Sequence, residues 1–65
     1  MTIKTERLQS EIKKSGRTTE EVAEIANLTK ATVERAATGG IIYLQPKFVE
    51  QIAMALSIPV SMIAE

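Results

Sequence analysis

The stretch Thr18-Thr19-Glu20-Glu21-Val22-Ala23-Glu24-Ile25-Ala26-Asn27-Leu28-Thr29-Lys30-Ala31-Thr32-Val33-Glu34-Arg35 decides the fold of this chain. Thr18 followed three residues later by Glu21 has the form of a capping box. The hydroxyl takes the backbone N–H of Glu21, and the carboxylate returns to the N–H of Thr18. A helix therefore starts there, with Val22, Ile25 and Ala26 as its apolar stripe. Asn27 ends it, because Asn is the residue other than Gly that best tolerates positive φ, so Ala26-Asn27-Leu28 reads as a tight turn. Thr29 caps a second helix from about Lys30 to Thr38, with Val33, Ala36 and Ala37 facing inward. Gly39-Gly40 terminates it.

Working outward, the segment from about Thr5 to Lys14 carries Leu8 and Ile12 four apart on one helical face, and Ser15-Gly16 stops it. After Gly40 comes Ile41-Ile42-Tyr43-Leu44-Gln45, unusually apolar for a connection and the one stretch with strand character. Pro46 suits the first position of a further helix, along which Phe48, Val49, Ile52, Ala53 and Leu56 keep a 3.6-residue period. Pro59 opens a short fifth helix through Ile63. The expected class is all-α: a compact bundle of about five short helices in a single domain spanning residues 1–65.

Composition narrows the chemistry. With 65 residues, the chain buries only about 60% of the surface exposed when unfolded, so stability is marginal. It contains no Cys and no His, which excludes disulfides, thiolate zinc sites and imidazole catalysis. No cofactor or metal is called for. The acidic residues fall on expected exposed helix faces without a pocket-forming scaffold, so an enzyme is not expected. The core must come from aliphatics, including eight Ile, in a chain that is 45% apolar. Tyr43 and Phe48 are the only aromatics, which argues against stacking of unpaired bases. No apolar run reaches signal-peptide or membrane-spanning length, so no membrane association is expected and the expected compartment is the cytoplasm.

Two short helices joined by a three- or four-residue turn, the second capped and followed by Gly, form the pattern of a helix-turn-helix over residues 18–38. Its demands are specific. Ala23 supplies the small residue where the helices cross, Asn27 the turn residue, and Leu28 and Val33 the apolar anchors on either side. The outer face of the helix at residues 30–38 is then left polar, with Lys30, Thr32, Glu34, Arg35 and Thr38. A face of this kind, held proud of the core, fits a major groove about 12 Å wide.

The stretch Thr18 to Arg35 resembles the helix-turn-helix of the phage repressor and Cro-like family, also called the xenobiotic-response-element family. Phe48 to Ile63, with its Ile52-Ala53-Met54-Ala55-Leu56-Ser57-Ile58-Pro59-Val60 string, looks like that family's fourth and fifth helices. The resemblance covers about residues 5–64 and rests on order, spacing and caps rather than on one motif. Two departures stand out: Thr19 where the family often has Gln, and Asn27 where it often has Gly. The resemblance implies a lambda-repressor-like DNA-binding domain, a small transcriptional regulator of phage or mobile-element type that represses from double-stranded DNA. It further implies that Lys30, Ala31, Thr32 and Arg35 meet base edges, with Glu34 at their margin, and that Thr19, Thr29 and Thr38 meet phosphates.

Residue chemistry runs parallel to this. Arg35 and Lys30 can donate to guanine O6 and N7, Ala31 can meet a thymine methyl, and Glu34 can accept from cytosine N4. Lys13, Lys14 and Arg17 cluster beside the opening of the helix that starts after Thr18, as phosphate-contact candidates or simply as charges that complement a helix C-terminus. Against DNA binding stands the balance of eight basic and eight acidic residues, since phosphate neutralisation supplies most non-specific affinity. Glu20 and Glu21 suit a helix N-terminus but sit near the expected phosphates. A small monomer binds DNA weakly, so a homodimer on a two-fold symmetric site is expected. Its candidate surface is the loop Ile41, Ile42, Tyr43 and Leu44, or Met62 and Ile63 near the chain's end. The competing class is a protein-interaction module on the same fold, of antitoxin or antirepressor type, with a protein partner in place of DNA.

Overall fold

The computed structural model describes residues 1–65. The first helix, α1 (Thr5–Ser15), ends where Gly16 takes φ 75° and returns its N–H to the Lys13 carbonyl. Thr18 opens α2 (Thr19–Ala26) with the reciprocal capping box present in full, and Asn27 closes it at φ 60°. Thr29 caps α3 (Lys30–Thr38), its hydroxyl accepting from the Thr32 N–H. Pro46 starts α4 (Pro46–Leu56), and Ser57 ends it in a left-handed conformation at φ 58°. The chain is all-helical, with four α-helices.

The expected fifth helix from Pro59 to Ile63 is a single three-ten turn, Val60–Met62. Its brevity has a cause. Pro59 is extended at ψ 150°, and five residues later, at Ala64, the chain is already bridging to the N-terminus. Residues 41–44 do not build a strand either. They contribute one isolated antiparallel bridge, Tyr43 to Thr2, beside a second between Ile3 and Ala64. The N-terminal residues thus lie between the loop after α3 and the C-terminal end. Ile3 is buried there at 5% exposure, a core role for the first turn of chain that periodicity could not signal.

Helix α2 packs against both α3 and α4, and α1 packs mainly against α3. Small residues permit this close approach: Ala23 and Ala26 on α2, Ala36 and Ala37 on α3, and Ala53 and Ala55 on α4 are all buried. Leu8, Val22, Val33, Val49, Ile52 and Ile63 are wholly enclosed between them. Each such aliphatic contributes about 1.5–3 kcal/mol through burial.

Two sequence expectations about burial are corrected. Ile25, read as part of the inward stripe of α2, is 54% exposed. The buried arc is Val22, Ala23 and Ala26, and at about 100° per residue Ile25 points well away from its centre. Glu11, read as an exposed acid, is buried at 8% exposure. It lies between Arg7 (Nε to Oε2, 3.5 Å) and Lys14 (Nζ to Oε2, 3.6 Å). Both cations stand beyond hydrogen-bonding distance, and Oε2 has no hydrogen-bond partner.

Candidate nucleic-acid interface

The geometry of α3 follows from its caps. The Thr29 hydroxyl accepts from the Thr32 N–H at 3.2 Å and meets the Thr32 hydroxyl at 2.7 Å. Both hydroxyls of this first turn are therefore engaged with each other, and Thr32 is only half exposed. At the other end, the Thr38 hydroxyl donates to the Glu34 carbonyl at 2.9 Å. The Arg35 carbonyl accepts from both Gly39 (3.0 Å) and Ile41 (3.1 Å), which folds the following chain back over it. Gly40 sits so close that a Cβ there would lie 3.4 Å from the Arg35 Cβ and Cγ. The stem of Arg35 is thereby hemmed in while its head is exposed.

Val33, Ala36 and Ala37 face the core, as the sequence indicated. Lys30, Ala31, Glu34, Arg35 and Thr38 are exposed on the opposite side. The two ion pairs in the chain both belong to Glu11, so neither Lys30 nor Arg35 has an acidic partner. Two cations and a carboxylate on one short helix face are thus left unpaired within the chain and open to an outside partner.

A small groove runs beside this face, lined by Gln9, Ile12 and Lys13 of α1, Thr19 of α2, and Glu34, Ala37 and Thr38 of α3. It brings together Lys13, Thr19 and Thr38 from the expected phosphate set, and places Glu34 among them. Lys14 is drawn aside toward Glu11, and Arg17 stands exposed in the turn before α2, its N–H given to the Ser15 hydroxyl. Thr29 lies at the far end of α3 from Thr38. Gln9 was not anticipated. The available signal was its spacing from Ile12 and Lys13, three and four residues on, which puts them on one helical face.

The residues expected at a dimer surface divide. Ile42 and Tyr43 are exposed, at 66% and 63%. Ile41 and Met62 are half-buried against the core cluster. Leu44 and Ile63 are core residues, at 8% and 0%, and the expectation that they face a second subunit is corrected. The bridges around residues 1–4 enclose both, a tertiary effect that an apolar sequence run cannot distinguish from exposure. No group of three or more acidic side chains comes together in a way that could hold a metal ion. No helix is long and apolar enough to cross a membrane. No protein-family model, no curated protein and no solved structure matches this chain.

Proposed function

We propose that this chain is a helix-turn-helix protein that binds double-stranded DNA with α3 in the major groove, as a small transcriptional repressor. The observation that carries the reading is the outer face of α3, where Arg35 and Lys30 are exposed and unpaired while the inner face is enclosed. The left-handed Asn27, the buried Ala23 of α2 and the two Thr caps support it. In this reading Arg35 and Lys30 donate to guanine, the Ala31 methyl meets thymine, and Glu34 accepts from cytosine. Lys13 and Thr19 along the groove, with Arg17 nearby, take phosphate oxygens, whereas Thr38 could donate to one only by giving up its bond to the Glu34 carbonyl. Thr29 and Thr32 spend their hydroxyls on each other, so they act chiefly as the brace of α3. Two copies would occupy a two-fold symmetric site.

Two observations favour a second reading. The chain carries no net charge, and Ile42 and Tyr43 are exposed together. A protein-interaction module of antitoxin or antirepressor type on the same fold would use such a surface and need no phosphate attraction. Selection of bound duplexes from a random pool separates the two. Recovery of a defined site supports the repressor reading; a pool that never enriches above background contradicts it.

A further inference from the structure

The chain after α3 runs alongside the N-terminus, and its backbone groups divide between two edges. On the inner edge, the Ile42 carbonyl accepts from Ile3 at 2.9 Å and the Leu44 N–H donates to Met1 at 3.0 Å. The Met1 ammonium donates to the Leu44 carbonyl at 2.6 Å. The bonds at Ile42 and Leu44 flank the single bridge between Tyr43 and Thr2 and turn both Tyr43 backbone groups outward, and alternation along the chain places Ile41 and Gln45, two residues to either side, on that same edge. Two of those six groups are already committed. The Ile41 N–H donates to Arg35, and the Gln45 carbonyl accepts from Phe48 and Val49 at the start of α4. The other four have no partner in the chain: the Ile41 carbonyl, both groups of Tyr43, and the Gln45 N–H.

We propose that this edge pairs with the same edge of a second copy of the chain, antiparallel about a two-fold axis at Tyr43. The occupancy pattern is what favours a copy over another peptide. In that register Tyr43 exchanges two N–H···O=C bonds with Tyr43 of the copy. Each Gln45 N–H meets the carbonyl of the copy's Ile41. The two committed groups, the Ile41 N–H and the copy's Gln45 carbonyl, face each other, so nothing already used is asked for twice. The two Tyr43 side chains, 63% exposed in the single chain, become cross-strand neighbours. An edge this short buries less than the roughly 1,200 Å² of a stable interface, so the pairing is weak, with Kd between about 10 µM and 1 mM. The proposal stands on the edge alone and holds whether or not the chain binds DNA.

Sedimentation equilibrium of the full chain from about 10 µM to about 1 mM reads the association, with amide exchange measured at both limits. The parent is expected to approach twice its monomer mass as concentration rises, while exchange at Tyr43 and Gln45 slows. Tyr43→Pro removes the outward donor without touching the inner edge, and Tyr43→Lys sets like charges opposite each other while keeping the backbone. Each should weaken association about tenfold or more with dichroism unchanged. If Tyr43→Pro does not fold, Tyr43→Lys decides. A parent that stays monomeric throughout overturns the proposal. So does association with exchange at Tyr43 unaltered, a folded Tyr43→Lys that associates as the parent does, or an edge taken up only by an unrelated extended peptide.

Discussion

Thr18 and Glu21 satisfy each other: the Thr18 N–H donates to the Glu21 carboxylate at 3.0 Å, and the Glu21 N–H donates to the Thr18 hydroxyl at 3.1 Å. This pair anchors α2. In the proposed DNA complex Glu21 would stand close to phosphates, and its bond to the Thr18 N–H fixes where the carboxylate sits while leaving its charge in place. Thr18→Ala should cost about 0.5–2 kcal/mol, and Glu21→Ala a similar or smaller amount. The double variant should cost less than their sum, because each bond holds the N-terminal geometry that the other needs. Thermal melting of the three variants checks this, and strict additivity would show that the two bonds are independent.

Overpacking tests the seam between α2 and α3. Ala23 is 2% exposed on the helix that packs against both α3 and α4. Ala23→Leu should cost about 1–3 kcal/mol. In a domain this small, each kcal/mol lowers Tm by about 4–8 °C. A variant that melts with the parent would show that α2 does not cross its neighbours there.

Much of this arrangement was legible because its causes are local. The box at Thr18, the left-handed Asn27, the cap at Thr29 and the Pro at 46 are each decided by a few adjacent residues, and all lie where the sequence puts them. What was not legible depends on distant chain. Ile25 shares the spacing of an inward residue, and only the centre of the buried arc excludes it. Leu44 and Ile63 belong to the core because residues 1–4 bridge over them, a contact between opposite ends of the sequence. Gln9 joins the groove through the packing of α1 on α3, which no motif encodes.

Two isoleucines near that bridged region should respond oppositely to the same substitution. Ile63 is fully enclosed, so Ile63→Glu buries an unpaired carboxylate at a cost above about 3 kcal/mol and should leave the chain largely unfolded. Ile42 is 66% exposed, and Ile42→Glu should keep the parent's helical dichroism and melt within about 1 kcal/mol of it. Comparable melting of the two variants would contradict the burial assigned to Ile63.

Glu11 offers a substitution expected to do no harm. Its carboxylate is enclosed yet lacks a hydrogen bond, and its two cationic neighbours are themselves 49% and 69% exposed. Solvent screens such pairs, so they return little of what enclosing the carboxylate costs. Glu11→Leu should melt at or above the parent temperature. A loss of more than about 2 kcal/mol would mean that the contacts to Arg7 and Lys14 hold α1 in place.

The reading of α3 is tested most directly by duplex titration of Arg35→Ala and Lys13→Ala against the parent at several salt concentrations. Arg35 projects from the exposed face of α3 without an ion pair, whereas Lys13 lines the groove beside it. Arg35→Ala should cost about 1–3 kcal/mol on the preferred site and relax preference at one base pair. Lys13→Ala should weaken binding about equally on every sequence and reduce the salt slope by roughly one charge. If both substitutions leave duplex binding untouched, or if the parent binds no duplex at moderate salt, α3 does not read DNA and the account is wrong.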